Sequence, residues 1–80
     1  MRPLILIVDD QESIVFFLEK TLKDEGYEVR TATTGGQALR SIESEIPDLV
    51  LLDLKLPDMS GLDVLAGLKQ QFSGMCVVMI

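Results

Sequence analysis

Histidine is absent from this sequence of 80 residues. The chain therefore has no histidine to act as a general base, to donate a phosphoryl group or to ligate a metal. It has one cysteine, Cys76, which excludes an internal disulfide and a Cys/His set for zinc. Because Cys76 lies in the apolar run MCVVMI, we expect it to be a buried structural thiol.

Basic residues are scarce and scattered: 7 Lys and Arg stand against 13 Asp and Glu, for a net charge of -6. Without a basic stripe to neutralise phosphates, we expect no direct binding to nucleic acid by this segment. No apolar stretch approaches the ~18 residues of a membrane span. The start, MRPLILIVDD, runs into acids where a signal peptide has small residues. The expected location is therefore cytoplasmic.

The apolar residues instead indicate one small α/β domain. Runs at 4–8, 49–52 and 76–80 are apolar at every position, which is typical of strands buried on both faces, and 27–32 alternates like an edge strand. Helical spacing lies between them, at about 12–25, 36–43 and 61–71. The order βαβαβαβ predicts a parallel sheet covered on both sides. The predicted apolar helix faces are Ile14, Phe17, Leu18 and Leu22; Ala38, Leu39 and Ile42; and Leu62, Leu65 and Leu68.

Acidic residues follow two of the buried strands. Asp9 and Asp10 come after the first strand, and Asp53 comes after LVLL. Ligands of parallel sheets bind beyond the carboxyl ends of the strands, so these carboxylates converge if the two strands are neighbours. A lone aspartate there is commonly a helix cap, but three together repel one another unless a cation offsets their charge. Mg²⁺ suits such oxygen ligands, and one aspartate is then a candidate nucleophile for phosphoryl transfer.

Two segments, ILIVDDQESI and PDLVLLDLKLPDMSGLDVL, and the spacing between them resemble the receiver domain of two-component response regulators. The resemblance covers the whole chain and implies a flavodoxin-like sheet of order 2-1-3-4-5. It also implies that Asp53 is the phosphoacceptor, that Asp10 ligates Mg²⁺ directly and that Asp9 acts through a bound water. Lys55 holds the position that offers its backbone carbonyl to the metal.

The resemblance implies further roles in the loop after Asp53. Pro57 and Gly61 match residues that shape the rim of the pocket, whereas we expect Asp58 and Ser60 to serve turn and cap geometry. The implied partner is a histidine kinase or phosphotransfer protein that carries a phosphohistidine. The domain would catalyse its own phosphorylation and dephosphorylation at most, and so switch an output such as transcription.

The sequence departs from the family at its end. Receiver domains continue through a fifth strand and two further helices, so residues 1–80 are expected to be the N-terminal part only. The switch Ser/Thr and the Lys that pairs with the phosphate would lie beyond Ile80. We expect metal binding to survive and full switching to be lost. The exposed last strand, 76–80, predicts self-association.

Other functions were compared with this one. Enzymes of the phosphatase type with an aspartate nucleophile usually carry a second Asp two residues later, where this chain has Lys55. The phosphate-binding motifs GKS/T and GxGxxG are absent. A non-switching binding or assembly module, which keeps the fold and self-associates through its edge strand, remains an alternative that Mg²⁺ titration would separate.

Overall fold

The computed structural model describes residues 2–80, which form four strands and three helices in strict alternation. All strand pairs are parallel, and the strand order is β2-β1-β3-β4. This confirms the predicted incomplete flavodoxin-like sheet. The elements are β1 Leu4–Val8, α1 Glu12–Asp24, β2 Glu28–Ala32, α2 Gly35–Ser44, β3 Leu49–Leu52, α3 Gly61–Gln71 and β4 Cys76–Met79.

One face of the sheet is closed by α2 and α3. The side chains of Val50 and Leu52 alternate toward these helices and are fully buried, as the pleat of a strand requires. Ile42 of α2 and Leu68 of α3 meet them in one apolar cluster. The cluster comprises Leu6, Val8, Ala32, Ala38, Ile42, Val50, Leu52, Val64, Leu68 and Met75.

The other face carries α1 and remains more open. Ile5 and Ile7 of β1 are buried there, but α1 itself has no buried residue. Its predicted apolar face is only partly covered, since Ile14 is 38% and Phe17 66% exposed. Among residues 2–80, no helix is long and apolar enough to cross a bilayer.

The helix ends carry side-chain caps or glycine. Thr34 is the N-cap of α2, and its side chain accepts a hydrogen bond from Gln37 N. Ser60 caps α3 in the same way through Leu62 N. Gly26, with φ of +94°, follows α1 in the left-handed conformation that glycine adopts without strain.

Two expectations about burial are wrong. Cys76 is an exposed free thiol, because it pairs with Leu49 and so points to the face opposite Val50, where α1 contacts β1 and β2. In α3, Leu62 is 57% exposed whereas Val64 is fully buried. Both positions fit the helical period, and packing against α2 selects the face that contains Val64.

Candidate functional site

Asp9 and Asp53 lie side by side because β1 and β3 are neighbouring parallel strands. Val8 pairs with Leu52, so Asp9 and Asp53 each follow directly after a paired residue. The Asp53 N–H donates to the Val8 carbonyl at 2.9 Å and extends the ladder by one step. One carboxylate oxygen from each of Asp9, Asp10 and Asp53 lies within 4.8 Å of the others. The structure thus brings together the three predicted carboxylates.

The three carboxylates differ in burial. Asp9 is only 3% exposed, and its Oδ1 accepts a hydrogen bond from Gln11 N at 2.9 Å, at the start of α1. The Asp9 N–H donates to the Ala32 carbonyl at 3.0 Å. Asp53 is half-buried and Asp10 is exposed. The cluster therefore has one carboxylate fixed by the fold and one open to solvent.

The loop after Asp53 folds back on itself. The Lys55 N–H lies 3.5 Å from Asp53 Oδ1, and Lys55 and Ser60 form an isolated antiparallel bridge. The Gly61 N–H donates to the Leu54 carbonyl at 2.6 Å. A side chain at Gly61 would collide with the Asp53 carbonyl oxygen, so only glycine permits this approach. Pro57 is exposed on the outer part of the loop.

Asp58 has a partner that the sequence did not indicate. Its Oδ1 accepts from Gly35 N at 2.8 Å, and its Oδ2 accepts from Gly36 N at 2.9 Å. The expected capping role holds, but the capped helix is α2, distant in sequence. These hydrogen bonds, that from Gly36 first and then that from Gly35, lower the pKa of Asp58 from its ordinary value of 3.8.

Three converging carboxylates form a site for a hard cation. Mg²⁺ and Ca²⁺ take oxygen ligands, and Mg²⁺ commonly retains waters and bridges to a phosphate. The donor set fits Mg²⁺, because it offers oxygen only and the exposed Asp10 leaves room for water. The strand order defines a flavodoxin-like α/β domain. Asp9, Asp10 and Asp53 form the acidic edge of its sheet, at the carboxyl ends of the strands, where ligands bind in this fold.

Comparison with known proteins identifies a family within this class of α/β domains. Residues 5–80 match the family model of the response regulator receiver domain. The chain is 48% identical over 71 residues to the alkaline phosphatase synthesis transcriptional regulatory protein PhoP of Bacillus subtilis, covering 89% of this chain and 30% of that protein. It is 46% identical over 69 residues to sporulation initiation phosphotransferase F of the same organism, covering 86% of this chain and 56% of that protein.

A solved structure agrees with the sequence comparisons. A CheY-like response regulator receiver domain protein from Methanospirillum hungatei superposes with a TM-score of 0.96 at 42% identity, covering 99% of this chain and 63% of that chain. This chain therefore belongs to the receiver domains of two-component response regulators, as its sequence predicts. It spans about a third of the length of the transcriptional regulators it matches, with 30% and 34% covered in two of them.

Proposed function

We propose that Asp53 accepts a phosphoryl group from a histidine kinase or phosphotransfer protein. The observation that carries this proposal is the position of Asp53 between a buried carboxylate and a closed loop, at the edge where β1 and β3 end together. Its half-buried side chain remains accessible to a donor. Asp9 is too buried and too firmly bonded to serve as the nucleophile.

The proposed metal is Mg²⁺, with Asp10 and Asp53 as direct ligands, Asp9 acting through water and Lys55 offering its backbone carbonyl. The three carboxylates would otherwise repel one another at such short distances. Bound Mg²⁺ would neutralise charge that develops on the phosphoryl oxygens. The backbone of Lys55 lies beside the cluster, since its N–H faces Asp53 and its side chain is exposed.

In the proposed reaction, a carboxylate oxygen of Asp53 forms a bond to phosphorus while the P–N bond of the donor phosphohistidine breaks. The electron pair of that bond stays on the imidazole nitrogen. The product is an acyl phosphate, which adds negative charge at the acidic edge. The chain itself would catalyse this step and the later hydrolysis at most, and the proposed location is the cytoplasm.

The test is intact mass after incubation with acetyl phosphate and Mg²⁺. We expect a gain of one phosphoryl group that disappears in Asp53→Asn and when the metal is chelated. Asp63→Asn is the matched control, because Asp63 is an exposed aspartate in the first turn of α3, outside the cluster. Loss of the gain in Asp63→Asn, or its persistence in Asp53→Asn, would contradict the assignment of Asp53.

We further propose that residues 1–80 act as the N-terminal part of a receiver domain in a transcription regulator. Two observations support this proposal. The chain covers only part of the length of each relative, and β4 is an apolar strand that lies at the edge of the sheet. The alternative of a non-switching binding module gains no support from the relatives. Self-association is a separate property of the chain and has its own test.

Self-association is proposed through β4. Val78 is 46% and Met79 37% exposed on this edge strand, and a long apolar edge favours pairing with another chain. The opposite edge, β2, carries Glu28 and Arg30 and is protected by charge, with Arg30 paired to Glu45 at 2.7 Å. Sedimentation velocity over a concentration series should show dimers that Val78→Lys abolishes. A monodisperse monomer at every concentration would contradict the proposal.

A further inference from the structure

Asp58 connects the loop after β3 to a helix that lies 22 and 23 residues earlier in the chain. Thr34 and Ser60 each cap the helix that they begin, whereas Asp58 caps a helix to which it does not belong. Both of its carboxylate oxygens are used, one for each of the Gly35 and Gly36 amides. The contact is therefore a tertiary clamp between the β3–α3 loop and the start of α2.

Within the β3–α3 loop, backbone contacts connect Asp58 to Asp53. The bridge between Lys55 and Ser60 and the hydrogen bond from Gly61 N to the Leu54 carbonyl close the loop into a compact unit. Gly61 is packed against the backbone of Asp53 with no room for a side chain. Because the loop is closed in this way, a displacement at Asp58 also displaces the backbone of Lys55.

At the start of α2, the chain connects the residues bound by Asp58 to Asp9 through the end of β2. The chain runs from Gly35 through two threonines to Ala32, the last residue of β2. The Ala32 carbonyl accepts the hydrogen bond from Asp9 N at 3.0 Å. Met59 reinforces the clamp, since its side chain fills the space where a Cβ of Gly35 would lie. A continuous path of contacts thus connects Asp9 to Asp53 through the start of α2 and the β3–α3 loop.

We propose that Asp58 is a positioning residue for this site: by holding the β3–α3 loop against α2, it fixes the Lys55 backbone relative to Asp9 and Asp53, and so sets the affinity for Mg²⁺. This inference rests on the proposed function, because it assumes that the acidic cluster is the metal site. Asp58 itself does not touch the metal. Substitution of residues that orient the ligands of a metal typically lowers metal affinity by about 10- to 100-fold.

The clamp requires a carboxylate. Two amide N–H groups need two acceptors, and an ionised aspartate supplies both. An asparagine has one acceptor oxygen, and its amino group would face the second N–H as a competing donor. Asp58→Asn therefore keeps the size of the side chain but breaks half of the clamp.

Asp48 provides a matched control at the amino ends of the strands, on the opposite side of the sheet from the acidic cluster. Its Oδ2 accepts from the Leu4 N–H at 2.7 Å, so it too is an aspartate that bonds to a backbone amide distant in sequence. Asp48→Asn makes the same change of charge, but the asparagine oxygen can still accept the single hydrogen bond from Leu4 N. Asp48 lies at the N-terminal ends of β1 and β3, away from the acidic cluster. An effect of the lost charge alone should therefore appear in both variants, whereas an effect of the broken clamp should appear only in Asp58→Asn.

The experiment is a Mg²⁺ titration of the full chain followed by amide NMR, with thermal unfolding of each variant in parallel. We expect Asp58→Asn to weaken Mg²⁺ binding about tenfold and Asp48→Asn to leave it unchanged. In the wild-type chain, the Gly35 and Gly36 amide signals should shift on addition of Mg²⁺, although neither residue is a ligand. A purely structural clamp would not produce that shift.

Equal Mg²⁺ affinity in Asp58→Asn and the wild type, with the Gly35 and Gly36 signals displaced by the substitution, would overturn the proposal. A wild-type chain that binds no Mg²⁺ would instead contradict the proposed metal site. The clamp is then tested without metal: Asp58→Asn should shift the Lys55 and Ser60 amide signals, and their constancy would refute the positioning role. If Asp58→Asn does not fold, the wild-type response of Gly35 and Gly36 decides alone.

Discussion

The two faces of the sheet differ in how completely they are covered. Toward α2 and α3, the side chains of Val50, Leu52 and Ile42 are excluded from solvent. Toward α1, Phe16 and Phe17 remain 69% and 66% exposed. Both faces contribute to the acidic edge: Asp58 joins α2 to the β3–α3 loop on the closed face, and Gln11 N, at the start of α1 on the open face, binds Asp9. The faces therefore differ in packing, and the exposed apolar residues of the open face are available for contacts with other molecules.

The largest expected effect comes from removing side-chain volume on each face. Ile42→Ala should lower the free energy of unfolding by about 2–5 kcal/mol, because it leaves a cavity in the closed face. Phe17→Ala removes a larger side chain but should change that free energy by less than about 0.5 kcal/mol, since the ring is mostly in water. Urea denaturation followed by circular dichroism measures both changes.

Urea denaturation of both variants at several protein concentrations tests this comparison in a second way. If Phe17→Ala destabilises the chain as much as Ile42→Ala, and more so at high concentration, the α1 face is covered by another copy in solution. Equal losses that do not depend on concentration would mean that the two faces are packed alike. Either result would contradict the contrast drawn from the exposed fractions.

A smaller effect is expected from adding one methyl group to glycines at different distances from the site. Gly61→Ala should cost about 1–3 kcal/mol of unfolding free energy, because the new Cβ would collide with the backbone at Asp53 and the loop would have to move. It should also reduce phosphorylation by acetyl phosphate. Gly74→Ala is the control, since nothing lies within 4 Å of its Cβ position and its φ is not positive.

For Gly74→Ala we expect a neutral or slightly stabilising change, because alanine restricts the unfolded chain more than glycine does. The two changes are compared by urea denaturation and by intact mass after phosphorylation. A Gly61→Ala variant with wild-type stability and full phosphorylation would show that the loop yields at Gly61 without disturbing Asp53.

Much of the fold could be predicted from the sequence, because its signals are local or periodic. Continuous apolar runs predicted β1 and β3, and the alternation of strands and helices predicted a parallel sheet. The convergence of Asp9, Asp10 and Asp53 followed from that sheet, since strand ends at one edge must lie together. The assignment of Asp53 as phosphoacceptor came from the family resemblance.

What could not be predicted depends on contacts between distant segments. The exposure of Cys76 depends on the position of α1, which contacts β1 and β2 on that face of the sheet, although the sequence of β4 is that of a strand buried on both faces. The choice of Val64 over Leu62 as the buried residue of α3 depends on where α2 lies. Asp58 could be predicted to cap a turn, but not to bond to Gly35 and Gly36, because no local pattern links it to α2.

The smallest expected effect concerns how acid acts on the clamp at the closed face. Because hydrogen bonds from Gly36 and Gly35 lower the pKa of Asp58 below its ordinary value of 3.8, the ionised carboxylate stabilises the folded state. This contribution is complete above pH 3.8, the ordinary pKa that applies to the unfolded chain, and is lost as the pH falls through the lower pKa of the folded state. Protonation leaves fewer acceptors for the two amides.

Thermal unfolding of the wild type and Asp58→Asn, measured from neutral pH down to acid, isolates this contribution. All other carboxylates titrate in both proteins, so the difference between the two midpoints belongs to Asp58. The difference should be constant at neutral pH and shrink below pH 3.8, because the wild type then loses the same hydrogen bonds that the variant already lacks. A difference that stays constant into acid would mean that the two amides do not hold the Asp58 carboxylate in solution, and the closed face would then join the β3–α3 loop by packing of Met59 alone.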